Sequence, residues 1–207
     1  MAQHIDHTCL RMDATSETFA KLYTEAKEHH FYSVCVPGSH LEEAKKALED
    51  SDVKVAVTVG FPHGNEPTEV KLMYTTYLKH KGADEIDVVW NMGYFKDGNY
   101  YQLHKELKEL ADMTPCLKVI LETCLLSTEE IIDACILCVF SGAHFVKTST
   151  GFSTGGATVR DIRLMKLVVG NSAQVKASGG VKEKQFAESL IANGASRIGS
   201  SASIALL

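Results

Sequence analysis

Three lysines lie inside short apolar runs, where lysines are rare. They are Lys118 in LKVILE (117–122), Lys147 in FVKTST (145–150) and Lys176 in QVKASG (174–179). An unpaired buried ammonium is unfavourable, so each should meet a carboxylate or give up its proton readily. Carboxylates occupy similar settings: Asp6 in HIDHT (4–8), Asp87 in EIDVVWN (85–91) and Glu122 at the end of LKVILE. If these runs are strands, their side chains alternate between two faces. Asp6 then points with His4 and Thr8, Asp87 with Glu85 and Asn91, and Lys118 with Ile120 and Glu122. Lys147 points with Phe145 and Ser149, and Lys176 with Ser178. A mutually neutralising salt-bridge network is the plain reading of Asp6, Asp87, Glu122, Lys118, Lys147 and Lys176. Each buried ion carries a desolvation penalty of several kcal/mol even when paired, so a cluster of this size points to an active site.

Two lysines on neighbouring strands should depress each other's pKa, and desolvation acts the same way. A lysine that is neutral near pH 7 attacks carbonyls. Lys147, with Lys176 beside it, is therefore the candidate Schiff-base lysine.

Glycines cluster after the last three of these runs: Gly151 with Gly155-Gly156, then Gly179-Gly180, then Gly199 with Ser200 and Ser201, read as opening a final helix. Turn chemistry alone would explain one such pair. Adjacent glycine loops near a helix start also cradle phosphate with backbone N–H groups. Lys182 adds charge there or is a solvated helix residue.

The elements that must position these groups are also legible. Further strand candidates are YSVCV (32–36), VKVAVTV (53–59) and RIGSS (197–201), making eight in all. Amphipathic helical patterns separate them. Residues 66–81 place Val70, Met73, Tyr74, Tyr77 and Leu78 on one face, with Asn65 as cap and Pro67 in the first turn. Ser127 to Glu130 reads as a capping box, and Val159, Ile162, Met165 and Val169 mark another helix. Gly-Ala ends a helix and leads into a strand at 82–83, 142–143 and 194–195. Eight β/α alternations without a linker predict a single (β/α)8 TIM barrel spanning residues 1–207. In such barrels a phosphate site commonly follows strands seven and eight.

Composition narrows the function. The net charge of −5 argues against nucleic acid or an acidic membrane surface as the main partner. No apolar run approaches membrane-spanning length. Of the six cysteines, only Cys135 and Cys138 form a CxxC, read as the buried face of a helix rather than a redox or metal motif. Cys35 reads as a small core residue. His4, His7 and His63 lack metal-site spacing and read as turn or supporting residues rather than ligands, so no metal is expected on them; no cofactor is expected either. A reducing cytoplasm is the simplest compartment.

In order along the chain, IDHTCL (5–10), SVCV (33–36), VGFPHG (59–64), GADEIDVV (82–89), LKVILETCLL (117–126), FVKTSTGF (145–152), VKASGGVK (175–182) and GASRIGSS (194–201) resemble the 2-deoxyribose-5-phosphate aldolases. The resemblance implies a metal-free class I aldolase that reversibly cleaves 2-deoxy-D-ribose 5-phosphate to acetaldehyde and D-glyceraldehyde 3-phosphate. It implies that Lys147 forms the imine, Lys176 lowers its pKa and relays protons, and Asp87 is general acid/base. Asp6 and Lys118 would support them. Gly151, Gly179, Gly180, Gly199 and Ser201 would hold the phosphate. A homodimer is expected from the family. Pro37-Gly38 after SVCV and Ala202 in the last loop depart from the family pattern. Two other readings compete: a phosphosugar isomerase, which would need no imine lysine, or another imine-forming aldolase on the same barrel; and a sugar-phosphate-binding protein without turnover.

Overall fold

A computed structural model describes all 207 residues. Eight parallel strands close into a barrel in chain order, with the last pairing to the first. They are β1 (Ile5–Thr8), β2 (Ser33–Val36), β3 (Lys54–Val59), β4 (Glu85–Val89), β5 (Leu117–Ile120), β6 (Phe145–Lys147), β7 (Gln174–Ser178) and β8 (Arg197–Ser200). Around them lie α1 (Ser16–Glu28), α2 (Leu41–Ala47), α3 (Thr68–His80), α4 (Met92–Lys96), α5 (Tyr100–Met113), α6 (Thr128–Phe140), α7 (Val159–Val169) and α8 (Lys184–Ala192). The expected (β/α)8 barrel is therefore the fold, and each expected strand contains the observed one.

Alternation along the strands divides the interior in two. Ile86, Val88, Trp90, Val119 and Leu121 join the apolar core between barrel and helices. Val89, Ile120, Cys35 and Phe145 are equally buried but lie outside that core, on the axial side. Register then fixes the neighbours: Asp87 stands beside Lys118, Lys147 beside Lys176, and Lys176 beside Arg197.

Helix ends follow local chemistry. Ser127 and Glu130 form the expected reciprocal capping box on α6. The three Gly-Ala steps end helices with glycines at positive φ, followed by buried alanines. Cys135 and Cys138 are buried in the core face of α6.

Two expectations are corrected. The apolar stripe of α3 does not face the barrel. Val70, Met73, Tyr74 and Tyr77 are exposed, and only Leu78 of the expected set is buried. The inward face is Thr68, Lys71, Thr75 and Leu78. It is polar because Lys71 reaches Glu106 of α5 at 2.8 Å and the Val89 carbonyl at 3.0 Å, while Thr68 donates to Glu106 at 2.7 Å. Pro67 is itself the N-cap of α3, and Asn65 does not cap it. The expected final helix is also absent. The chain makes one 3-10 turn, Ser203–Leu206, after Ser200 accepts from the Ala202 N–H and from the Ser203 hydroxyl. Such side-chain bonds compete with the start of a helix.

Candidate active site

Every strand except β2 and β3 sends a charged side chain, or the glycine and serine beside one, to the axis. The consequence is a closed ring of alternating charge. Arg197 Nη1 lies 2.7 Å from Asp6 Oδ1. Asp6 Oδ2 pairs with Lys176, whose Nζ lies 2.8 Å from Asp87 Oδ2. Asp87 Oδ1 takes Lys118 Nζ at 2.7 Å, and Lys118 reaches Glu85 Oε2 at 2.6 Å. Glu85 returns to Arg197 at 3.4 Å. Lys147 stands outside this ring. It touches one carboxylate, Asp87, at 2.7 Å.

The structure thus brings together Lys147, Lys176, Asp87, Asp6 and Lys118. Glu122 does not belong with them. Its backbone is left-handed (φ 55), and its carboxylate accepts the Thr150 N–H at 3.3 Å and the Thr150 hydroxyl, tying down the loop after Lys147. Glu85 and Arg197 complete the network instead. Strand parity places Glu85 with Asp87, and Arg197 shares the same face of β8 as Gly199, so both carried a signal in the sequence.

Arg197 is held by more than charge. Its guanidinium lies 3.4 Å from the centre of the Tyr32 ring and 5.3 Å from that of Phe145. Ser33 Oγ donates to Asp6 at 2.7 Å. The small hydroxylic residues after Lys147 join β6 to β7. Thr148 Oγ1 donates to the Ser178 carbonyl and accepts the Ser178 N–H, both at 3.0 Å. Ser178 Oγ donates to the Ser149 carbonyl at 2.6 Å.

These contacts sort the pKa values. Burial works against both carboxylates, yet the surrounding cations hold Asp87 and Asp6 well below the usual range. Burial also disfavours the charge on Lys176, but Asp6 and Asp87 outweigh it and push that lysine up to about 12. Lys118 rises for the same reason. Lys147 alone goes down, chiefly through burial, with Lys176 adding repulsion against the attraction of Asp87. The sequence suggested that the two lysines depress each other; only Lys147 is depressed, because Lys176 has two carboxylate partners. Cys35 is fully buried on the axial side, and burial raises its thiol to about 11.

Above Lys147 lies a cavity of about 530 Å³. Gly151, Gly179, Gly180, Gly199 and Ser201 line it, and so does Lys182. Gly179 shows why glycine is needed there. Its φ is +85°, and a Cβ would sit 3.0 Å from the Gly156 Cα and 3.1 Å from the Ser149 Cβ. The glycine loops after β6 and β7 therefore pack backbone to backbone. His7 is withdrawn from metal-type chemistry by Glu25 and Ser203, each 2.9 Å from one ring nitrogen.

Fold and site define a barrel enzyme: one buried amine with a single carboxylate partner, that carboxylate shared with a second lysine, and a glycine-lined cavity at the C-terminal ends of the strands. The sequence pattern described as DeoC/LacD family aldolase matches residues 1–201. Deoxyribose-phosphate aldolases from Alkaliphilus oremlandii and Clostridium perfringens are 49% and 50% identical over the whole of this chain and 95% and 93% of their own. A solved aldolase at 37% identity superposes with a TM-score of 0.95 over 99% of this chain and 93% of its own. A tetrameric deoxyribose phosphate aldolase from Aeropyrum pernix, 30% identical, gives 0.90 over 99% and 88%. The chain belongs to the DeoC/LacD aldolase family and is an enzyme, a carbon–carbon lyase. No helix is long and apolar enough to cross a membrane.

Proposed function

We propose that the protein reversibly cleaves 2-deoxy-D-ribose 5-phosphate to acetaldehyde and D-glyceraldehyde 3-phosphate through an imine on Lys147. The observation that carries this reading is that Lys147 is the one axial cation with a single carboxylate partner and a lowered pKa, and that it lines the cavity. Its amine adds to the aldehyde carbon of the open-chain sugar, and loss of water leaves a protonated imine. A base takes the C3 hydroxyl proton, the C2–C3 bond breaks, and its electrons pass into the imine to give an enamine. Protonation of the enamine at C2 and hydrolysis release acetaldehyde. Asp87 contacts both Lys147 and Lys176, so it carries the proton traffic through a bound water, with Lys176 as the reservoir. Asp6 and Lys118 hold those two in place. Gly151, Gly179, Gly180, Gly199 and Ser201 bind the phosphate with backbone N–H groups and a hydroxyl.

The test is borohydride trapping with the phosphosugar or acetaldehyde, followed by peptide mass spectrometry. A reduced adduct on Lys147, absent from Lys147→Ala together with turnover, is expected. An adduct on another lysine would move the site. Phosphosugar binding without any adduct would support the isomerase or binding-protein reading instead.

Homodimer formation and a reducing cytoplasm go with this proposal. Six free thiols support the second. The exposed Val70, Met73 and Tyr77 on α3 support the first. An antiparallel second copy would cover this stripe. Light scattering should give a dimer for the wild type and a monomer for Met73→Glu; a wild-type mass unchanged in the variant would reject this face.

A further inference from the structure

We propose that Arg197 and Glu85, at the floor of the barrel and away from the substrate cavity, are positioning residues that set how readily Lys147, the axial amine appended outside the closed ring, gives up its proton. The inference rests on the imine role given to Lys147, and its test reads the proton on Lys147 independently of turnover.

The observation is the closed ring. Three carboxylates (Asp6, Glu85, Asp87) alternate with three cations (Lys118, Lys176, Arg197), and each ring cation touches two carboxylates. All six are nearly or fully buried. Their charges cancel when every member is ionised. Lys147 is a fourth cation appended at Asp87, so protonating it leaves one uncompensated positive charge in the interior. That state is disfavoured by desolvation and by Lys176, which shares Asp87 Oδ2 with Lys147. Without Arg197 the remaining ring would carry one negative charge too many, and Lys147 would be the group best placed to supply the missing proton. Arg197 suits the part because a guanidinium does not deprotonate in a protein, and Tyr32 and Phe145 fix its plane.

Other groups around Lys147 do not upset this balance. Asp87 faces it from β4, Lys176 from β7 and Cys35 from β2, and the Cys35 thiol stays neutral because burial raises its pKa. Lys118 from β5 and Asp6 from β1 act at one remove, through Asp87 and Lys176. Glu122, at the end of β5, is engaged by Thr150. Arg11, Lys21, Lys182, His7 and Glu25 line the same cavity. None of these makes an ion pair with a member of the ring.

Opposite charge changes should move Lys147 in opposite directions. Arg197→Met removes a cation, so Lys147 holds its proton to higher pH and the acid limb of kcat/KM moves up. Glu85→Gln removes an anion, and the limb moves down. Each shift should be about one pH unit, the effect of a unit charge one or two ion pairs away at an effective dielectric near 20. The double variant restores neutrality and should return the limb to its wild-type position. Arg197→Lys keeps the charge and should leave the limb in place even if kcat drops. Competitive labelling with acetic anhydride across pH, read at Lys147 by mass spectrometry, reports the same proton without turnover. A purely structural role for the pair would lower kcat or stability in both single variants without moving the Lys147 titration. That result, or shifts of the same sign in both, would overturn the proposal. If Arg197→Met does not fold, Glu85→Gln alone decides by the direction of its shift. Wild-type borohydride adducts on a different lysine would instead defeat the imine assignment and leave the labelling result standing.

Discussion

Replacing Lys176 with methionine tests the electrostatic account of Lys147 most directly. The two amines share one oxygen: Lys147 lies 2.7 Å and Lys176 2.8 Å from Asp87 Oδ2. Their nitrogens are therefore roughly 4 to 5 Å apart, and a unit charge at that range acts with about 3 to 4 kcal/mol at an effective dielectric of about 20. In the native site this repulsion disfavours the protonated form of Lys147, and Lys176 stays charged because its own pKa is pushed up to about 12. Removing it should raise the Lys147 pKa by roughly two to three pH units. Methionine fills the fully buried space with a similar length and no charge. The plateau of kcat should also fall, because a proton donor is lost, so the plateau is not the diagnostic. The acid limb of kcat/KM is, together with the pH dependence of acetic anhydride labelling at Lys147. An upward shift in both is expected. A limb that stays within half a pH unit of wild type, in a variant with a normal melting profile, would refute the idea that Lys176 controls the proton on Lys147.

Three further predictions are independent of that one. Gly179→Ala places a Cβ against Gly156 and Ser149 at a φ of +85°, so it should raise KM for the phosphosugar by about tenfold or more while sparing kcat/KM for unphosphorylated 2-deoxyribose; equal losses on both substrates would mean that this loop does not bind phosphate. Ser127→Ala removes half of the capping box on α6 and should lower stability by about 1 kcal/mol, or about 2–4 °C in Tm, with activity retained; calorimetry checks it. Asp6 and Asp87 have folded pKa values below their unfolded ones, so their stabilisation is complete above about pH 5 and is lost as pH falls towards the folded values. Urea unfolding should therefore weaken by about 2 kcal/mol or more between pH 5 and pH 3, and a flat profile would contradict the pairing.

Much of this protein is written locally in its sequence. Strand alternation alone separates Ile86, Val88 and Trp90 from Glu85 and Asp87, and it points Lys118, Lys147 and Lys176 to one interior. Period-two geometry makes that inference without any tertiary knowledge. The capping box at Ser127 and the Gly-Ala steps are likewise settled within a few residues, by side-chain oxygen reach and by the φ that only glycine adopts freely.

Other features depend on what lies across the fold. The stripe of Val70, Met73, Tyr74 and Tyr77 reads as the inward face of α3, but the helix turns Lys71 and Thr68 inward because Glu106 waits on α5, 35 residues from Lys71. Periodicity measures which residues share a face, not which face is covered. The site shows the same division. Sequence parity collects the charged residues, yet which carboxylate meets which cation follows from strand register, where Lys147 stands beside Lys176 and Asp87 beside Lys118. It follows as well from barrel closure, which brings Arg197 of β8 to Asp6 of β1 across 191 residues. Charge is a long-range quantity in a low-dielectric interior, so the proton state of Lys147 depends on the whole ring and cannot be read from FVKTST alone.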